Sequence, residues 1–202
     1  MIPQAFIIVF AYLLGCCNTG YYLVRLRLGK DIRTLASCGT GSRNVGRALG
    51  SWGFLATLVG DAGKGALAVW LARQPGSADW LATAALLAAV AGHIWPAQLR
   101  FRGGKGFATL AGGLALLAPA LLLAGFGLSL VFLALLRRST MAGLLALSLS
   151  PALLAILRLR DGLPLVSAPF FLYLALVLLV LFGHRDNIRR DFLGAAPAAI
   201  RE

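Results

Sequence analysis

Seven apolar stretches, separated by short basic segments, constrain the fold of this chain more than any other feature of its sequence. Charged residues make up only 13% of the chain, whereas roughly 25% is usual in soluble domains. One helix over residues 107–136 would be about 45 Å long and would exceed the roughly 30 Å hydrocarbon core, so we divide it at Pro119. The sequence therefore predicts an all-α integral membrane protein, a single domain over residues 1–202, with seven transmembrane helices at 4–26, 52–72, 80–98, 107–118, 119–136, 141–157 and 167–183.

The distribution of Lys and Arg predicts the orientation of these helices. With the N-terminus outside, 15 of the 19 basic residues lie in inner loops and the C-terminal tail, three lie in outer loops, and Lys64 lies within a helix. Basic loops are retained on the cytoplasmic side of a membrane, so we expect the N-terminus outside and the C-terminus in the cytoplasm. The net charge of +12 does not indicate a nucleic-acid partner, because the basic residues border apolar segments instead of forming a polar domain.

The polar stretch that stands out most is a Gly-Gly-Lys-Gly turn at residues 103–106, directly before an apolar helix that begins at Phe107. Glycines before a helix start leave backbone N–H groups uncovered, and a lysine among them favours an anion, most plausibly a phosphate. The turn is not a Walker A loop, because Gly106 follows the lysine and Arg100 stands five residues before it. The alternative is an interfacial turn whose Lys105 faces lipid headgroups.

The first predicted cytoplasmic loop, residues 28–50, offers a second place for an anion. Its small residues and flanking arginines are Gly41, Ser42, Arg43, Asn44, Gly46 and Arg47. Gly and Asn tolerate positive φ, so successive N–H groups of this loop can converge on an anion. A solvated loop that obeys the positive-inside rule is the alternative interpretation.

Two charged residues, Asp61 and Lys64, lie within the second apolar segment in the sequence DAGKG. At a spacing of three they share a helix face and can pair, and charges inside a membrane helix are candidates for function. A structural ion pair that orients helices is the alternative. The neighbouring Gly60 and Gly65 would let either another helix or an acyl chain approach closely.

The tail that follows the seventh helix carries His184, Arg185 and Asn187 in the sequence GHRDNIRRDF. His184 and Asn187 are one helical turn apart and can point into one site, whereas an interfacial anchor is the alternative. The chain has two histidines and seven carboxylates, without the spacing of a metal site. We therefore expect neither a metal nor a cofactor.

Together these motifs resemble those of the bacterial membrane-embedded acyl-phosphate:glycerol-3-phosphate acyltransferases. GHIWPAQLRFRGGKGFAT is similar to the family signature GHxFPxxxxFxGGKGxAT. The matching residues are His93, Pro96, Phe101, Gly103, Gly104, Lys105, Gly106, Ala108 and Thr109. DAGKG resembles the family's DxxKG, HRDNIRR resembles HRxNIxR, and GSRNVG resembles the first-loop motif GSGNIGATN.

The chain departs from this family in the first loop. Arg43 stands where the motif has a glycine, and Arg47-Ala48-Leu49 stands in place of Ala-Thr-Asn. An arginine that the family carries a few residues further on is missing. We therefore expect either that Arg43 or Arg47 replaces it, or that the acceptor alcohol differs.

The resemblance implies transfer of a fatty acyl group from acyl phosphate to the 1-hydroxyl of glycerol 3-phosphate, giving lysophosphatidic acid and phosphate. This reaction is the first step of phospholipid biosynthesis, and we expect a monomer in the bilayer of the cell inner membrane, with its active site facing the cytoplasm. The alternatives are a paralogue that acylates another alcohol and a transporter of a phosphorylated solute. A transporter needs gating groups on both sides and often has inverted repeats, and the sequence displays neither.

The same resemblance and the motifs assign roles to individual residues. The expected catalytic residues are Lys105, His184, Asn187 and His93. The expected phosphate-binding residues are Gly41, Ser42, Arg43, Asn44, Gly46, Arg47, Gly103, Gly104, Gly106, Thr109 and Arg185. The expected structural or acyl-groove residues are Gly60, Asp61, Lys64 and Gly65. The general base stays open among His184, His93 and a substrate phosphate oxygen.

Overall fold

The structure, a computed structural model, describes residues 3–193, and this part of the chain contains α-helices and short 3₁₀ turns but no β-strand. The helices are α1 (Gln4–Cys16), α2 (Thr19–Leu28), α3 (Ser42–Ala72), α4 (Leu81–Ile94), α5 (Phe107–Leu117), α6 (Pro119–Leu136), α7 (Ser139–Arg160), α8 (Ala168–Gly183) and α9 (Arg185–Leu193). The predicted all-α fold is thus confirmed for the described residues.

Five of these segments are long and apolar enough to cross a membrane. They are Gln4–Leu28, Ser42–Ala72, Leu81–Leu99, Pro119–Leu136 and Ser139–Arg160. A sixth is present if α8 and the following Arg185–Asp191, bent by 60°, count as one span. α5 has 11 residues and is therefore only about 17 Å long, short of a roughly 30 Å core.

The predicted division of the long apolar segment at Pro119 is confirmed. α5 ends at Leu117 and α6 begins at Pro119. Between them Ala118 has φ −151° and ψ 71°, outside the helical region. Proline at the first position of a helix has no N–H to leave unsatisfied, which explains why the new helix starts there.

The chain divides into two compact units, Met1–Leu117 and Ala118–Glu202. In the first unit, α1 packs on α4, and α3 packs on α4 and α5. Glycines bring these helices into backbone contact: a Cβ on Gly92 would overlap the carbonyl of Tyr12 in α1, and one on Gly112 would overlap that of Ala62 in α3. Small residues let membrane helices approach in this way, so the first unit is held by close backbone packing.

α3 differs from its predicted boundary. The apolar pattern predicts a helix from residue 52, whereas the helix begins at Ser42 and contains one non-helical residue, Gly50, with φ 76° and ψ −170°. Because a positive φ is accessible to glycine, Gly50 lets a short polar helix join the apolar one. The first-loop motif GSRNVG is therefore helical after Gly41.

In the second unit, α7 packs on α6, α8 and α9. Ser150 of α7 and Tyr173 of α8 form a buried hydrogen bond of 2.7 Å between their hydroxyl groups. This polar contact satisfies both hydroxyls inside an apolar helix pair.

Candidate functional site

A buried charge cluster lies at the centre of the first unit. Lys64 Nζ is 3.0 Å from Asp61 Oδ1 and 2.8 Å from His93 Nδ1. The exposed fractions of Asp61, Lys64 and His93 are 2%, 5% and 3%, so the cluster is excluded from solvent. The ion pair predicted from the sequence DAGKG therefore forms, and it includes a histidine from the glycine-turn motif.

The same ion pair caps both ends of a break in the first apolar segment, between α1 and α2. Lys64 donates hydrogen bonds to the carbonyls of Gly15 (3.0 Å) and Cys17 (2.9 Å), which end α1. Asp61 Oδ1 accepts a hydrogen bond of 3.4 Å from the N–H of Thr19, which begins α2. A cation at a helix C-terminus and an anion at an N-terminus both oppose the local dipole favourably, so the pair stabilises the break.

The glycine turn rests directly on His93. The N–H of Gly104 donates to the His93 carbonyl at 3.0 Å, and the N–H of Gly103 donates to the Ile94 carbonyl at the same distance. A Cβ at residue 104 would overlap Nε2 of the His93 ring, and one at residue 103 would overlap its carbonyl oxygen. These two positions therefore require glycine because of close approach and not because of positive φ.

Gly106 closes the turn with φ 84°, a value that favours glycine. α5 begins at the next residue, and the N–H of Leu110 donates to the Gly106 carbonyl at 2.8 Å. Lys105 is half-buried between these glycines, at the N-terminal end of α5. The predicted arrangement of a lysine and a helix N-terminus is present, and both favour an anion.

The first loop is organised by the buried amide of Asn44. Its NH₂ group donates to the carbonyls of Ile32 (3.2 Å), Leu35 (2.9 Å) and Gly39 (2.8 Å), and its oxygen accepts from the N–H of Ser37 at 3.2 Å. Every polar atom of the Asn44 side chain is thus engaged with the loop backbone. Asn44 shapes the loop, whereas the sequence suggested a phosphate contact.

The predicted glycine nest also differs from the structure. The left-handed residues close to the motif are Ala36 (φ 44°) and Cys38 (φ 55°), and Gly41 instead has φ −72° and ψ 159° as the N-cap of α3. Ser42 and Gly46 are helical. The loop therefore presents a helix N-terminus, which also favours anions, with the exposed Ser37 between Ala36 and Cys38.

Arg43 and Arg47 are exposed and lie one helical turn apart at the start of α3. They line an open cavity of about 380 Å³ together with Gly46, Gly50, Ser51 and Phe54. The cavity combines two cations with one aromatic wall, so it suits a small phosphorylated molecule.

Two contacts join the first loop to the glycine turn. Thr40 donates a 2.7 Å hydrogen bond to Asn18 Oδ1, and its hydroxyl would lie 2.9 Å from a Cβ on Gly104. Arg33 donates to the carbonyls of Leu99 (2.8 Å) and Arg102 (3.3 Å) before the turn. The two predicted anion sites are therefore anchored to each other.

A carboxylate holds Arg33 in this position. Asp31 Oδ2 is 2.7 Å from Nη2 of Arg33, and Arg33 also lies over the Tyr21 ring at 5.1 Å. The hydrogen bond from Arg33 lowers the pKa of the Asp31 carboxyl below its usual value. Asp31 is therefore a carboxylate near neutral pH and restrains the guanidinium.

Three predicted site residues serve helix packing. A Cβ on Gly65 would overlap the carbonyl of Thr109 in α5, and one on Gly60 would overlap the side chain of Thr19 in α2. Thr109 itself is completely buried. Of the two possibilities that we gave for Gly60 and Gly65, a neighbouring helix and an acyl chain, the structure has the neighbouring helix.

The tail residues belong to the second unit. His184 is buried, and its Nδ1 lies 2.9 Å from the Val180 carbonyl, which can only accept a hydrogen bond. In the neutral ring the proton is therefore on Nδ1 and the lone pair on Nε2. Arg185 lies over the Phe182 ring at 4.7 Å, and Asn187 is half-buried in α9.

No group of three or more His, Cys, Asp or Glu residues within 3–193 could hold a metal ion. The first unit instead offers Lys105, Arg43, Arg47 and the N-terminal N–H groups of α3 and α5. Such donors bind anions.

The described residues have the fold of a multi-pass helical membrane protein, with a glycine-rich turn directly before a helix. The sequence model described as glycerol-3-phosphate acyltransferase matches residues 5–194. The chain is 44% identical over 187 residues to glycerol-3-phosphate acyltransferase 1 of Desulfitobacterium hafniense, covering 91% of this chain and 88% of the relative. It is 40% identical over 198 residues to the glycerol-3-phosphate acyltransferase of Parasynechococcus marenigrum, covering 95% and 87%.

Solved structures give the same result. The crystal structure of PlsY (YgiH), an integral membrane glycerol 3-phosphate acyltransferase, in its glycerol 3-phosphate form superimposes with a TM-score of 0.83 at 30% identity. That comparison covers 95% of this chain and 92% of the other. The lysophosphatidic acid form gives a TM-score of 0.79 at 28% identity. The chain belongs to the glycerol-3-phosphate acyltransferase family, which confirms the resemblance seen in its motifs.

Proposed function

We propose that this chain transfers a fatty acyl group from acyl phosphate to the 1-hydroxyl of glycerol 3-phosphate, producing lysophosphatidic acid and inorganic phosphate. Family membership supports the reaction, and the two forms of the similar crystal structure correspond to its acceptor and its product. The observation that carries the proposal is the glycine turn with Lys105, braced by the buried cluster and anchored to the first loop.

The chemical step requires little from the protein beyond positioning and charge. The acceptor hydroxyl oxygen forms a bond to the acyl carbonyl carbon, and the bond from that carbon to the phosphate oxygen breaks. Phosphate leaves with the electron pair, and the hydroxyl proton passes to a base. Because acyl phosphate is already activated, a protein nucleophile is unnecessary, and stabilisation of the oxyanion accounts for the rate.

Each phosphate has its own donors in this proposal. Lys105 and the N-terminal end of α5 bind one, and Arg43 and Arg47 bind the other at the cavity of about 380 Å³. Two phosphate dianions bring about four negative charges into one site, which explains why cations approach it from several elements.

His184 is the general base in this proposal, and the tail also supplies Asn187 as a catalytic residue and Arg185 as a phosphate-binding residue. The Nδ1 of His184 donates to the Val180 carbonyl, which fixes the orientation of the ring in the neutral form. His184 is thus the base that we propose among the three that the sequence left open.

The finer topology also belongs to the proposal: seven spans, the N-terminus outside, and a monomer in the inner membrane whose active site faces the cytoplasm. The asymmetry of Lys and Arg supports it. Single cysteines at residues 42 and 186 of a cysteine-free variant should resist an impermeant thiol reagent in intact cells, and one at residue 78 should react. Labelling of residues 42 and 186 from outside would invert the topology.

The test of the reaction uses purified protein, palmitoyl phosphate and a panel of alcohols, with release of inorganic phosphate as the readout. We expect release that depends on glycerol 3-phosphate and a lysophosphatidic acid product. Release with a different alcohol alone would favour the alternative acceptor, which the arginines of the first loop make worth testing. Absence of release with every acceptor would refute the acyltransferase assignment.

A further inference from the structure

Lys64 of α3 contacts both α1 and α4, and its contact with His93 of α4 bears on the tautomer of that histidine. Around its Nζ lie three oxygen acceptors within 3.0 Å, one from the Asp61 carboxylate and two from backbone carbonyls, and His93 Nδ1 lies at 2.8 Å. An ammonium group has hydrogens to donate and no lone pair. His93 Nδ1 is therefore the acceptor of this contact.

The proton of the neutral His93 ring is consequently on Nε2, because the bond made by one ring nitrogen fixes the state of the other. Nε2 lies against Gly104, where a Cβ would overlap it, and the His93 carbonyl accepts the N–H of the same glycine. His93 therefore contacts Gly104 through both its ring and its backbone carbonyl. The neutral His93 ring is thus protonated on Nε2, whereas the neutral His184 ring is protonated on Nδ1.

We propose that Lys64 is a positioning residue for acyl transfer: it fixes the tautomer and orientation of His93, and through His93 it places Gly104 and the neighbouring Lys105 for phosphate binding. The inference rests on the proposed function and adds to it a residue that acts through another. It also excludes His93 as the general base, since the ring nitrogen that faces Lys64 is already hydrogen-bonded and the other carries a proton.

The competing explanation is an ion pair that only holds helices together. A matched pair of double variants separates the two. Asp61→Asn/Lys64→Gln and Asp61→Asn/Lys64→Met both remove the charges, and Gln and Met have side chains of equal length. Only the Gln variant keeps an N–H donor at residue 64, and the amide of Asn at residue 61 is common to both variants. Any loss of helix packing should therefore be similar in both, whereas the positioning of His93 should differ.

The first arm measures turnover, the KM of each phosphate substrate and thermal stability. A misplacement of about 1 Å can lower the reaction rate on the order of 100-fold. We therefore expect the KM of a phosphate substrate to rise tenfold or more in the Met variant. The rise in the Gln variant should be smaller by at least a third. Tyr173→Phe, which removes the buried hydrogen bond to Ser150, is the control and should lower stability without changing KM. Equal KM values in the two double variants would overturn the proposal.

The second arm observes the tautomer directly by nitrogen NMR on histidine-labelled protein. The chain has two histidines, so His184→Gln leaves the His93 signals alone. We expect a protonated Nε2 and an unprotonated Nδ1, retained in the Gln variant and lost in the Met variant. A proton on Nδ1 in the parent protein would contradict the inference.

The two arms keep this inference distinct from the proposed function. If the wild type releases no phosphate with any acceptor, the acyltransferase assignment fails. In that case the tautomer of His93 and the affinity of the matched variants for inorganic phosphate decide whether Lys64 is a positioning residue. Phosphate affinity at least tenfold weaker in the Met variant than in the Gln variant would support it, and equal affinity would overturn it.

Discussion

Replacement of Gly104 by alanine tests the core of the site, because the structure specifies what the added methyl group would meet. The new Cβ would overlap Nε2 of His93 and lie 2.9 Å from the hydroxyl of Thr40. Both neighbours are anchored, His93 by Lys64 at 2.8 Å and Thr40 by Asn18 at 2.7 Å. The turn must therefore move, and a shift of about 1 Å corresponds to a loss on the order of 100-fold in kcat/KM.

The assay is the initial rate of phosphate release as each substrate is varied, together with the melting temperature in detergent. Gly63→Ala is the matched control, because no atom lies within 4 Å of a Cβ there and the residue is inside α3. Alanine in a helix interior stabilises by roughly 0.5–1 kcal/mol relative to glycine, so this control should remain fully active. Activity of Gly104→Ala within threefold of wild type would show that the turn does not need its present position.

Three further predictions address charge. Lys105→Ala should abolish turnover while the protein remains folded in detergent, and near-normal turnover would remove the phosphate site from the glycine turn. Arg47→Gln should raise the KM for glycerol 3-phosphate by roughly 10- to 150-fold, as expected for a charge-assisted bond of about 1.5–3 kcal/mol. Arg43→Gln should raise it less. An unchanged KM for glycerol 3-phosphate in both variants would exclude the cavity as the acceptor site. Because Arg33 lowers the pKa of Asp31, their contact stabilises the fold at pH values above 3.8, the ordinary pKa of the carboxyl group. This stabilisation is lost as the pH falls through the lower pKa of the folded protein. Asp31→Asn should therefore lower the melting temperature at neutral pH and progressively less in acid, and a pH-independent effect would contradict this.

The helix boundaries that depend on local chemistry were predictable from the sequence. Pro119 divides the long apolar segment because proline and hydrocarbon thickness act locally. The break after Cys16 was not predictable, since neither proline nor a positive-φ glycine marks it. The Cys17 carbonyl accepts from Lys64, 47 residues away in the chain. The Cys16 carbonyl accepts from Gln98, 82 residues away. Such a break depends on tertiary contacts.

The candidate site was predictable to a similar extent. Gly-Gly-Lys-Gly before an apolar run predicted a turn at a helix N-terminus, and the structure has that geometry, whereas anion binding by the turn stays a prediction. Asn44 was assigned to a substrate because its spacing resembles a nest, whereas its partners lie 5 to 12 residues earlier and only the folded loop reveals them. The role of Gly65 was equally hidden, since a glycine that admits a helix and one that admits an acyl chain have the same sequence.

The break between α1 and α2 has a consequence for membrane insertion. Carbonyls without partners are costly in lipid, and so are the charges of Asp61 and Lys64 on α3. Neither segment is well suited to hydrocarbon by itself, and each supplies the groups that the other lacks. We therefore expect the α1–α2 segment to enter the lipid phase only after α3 has been synthesised. The two segments would then leave the translocation machinery as a pair.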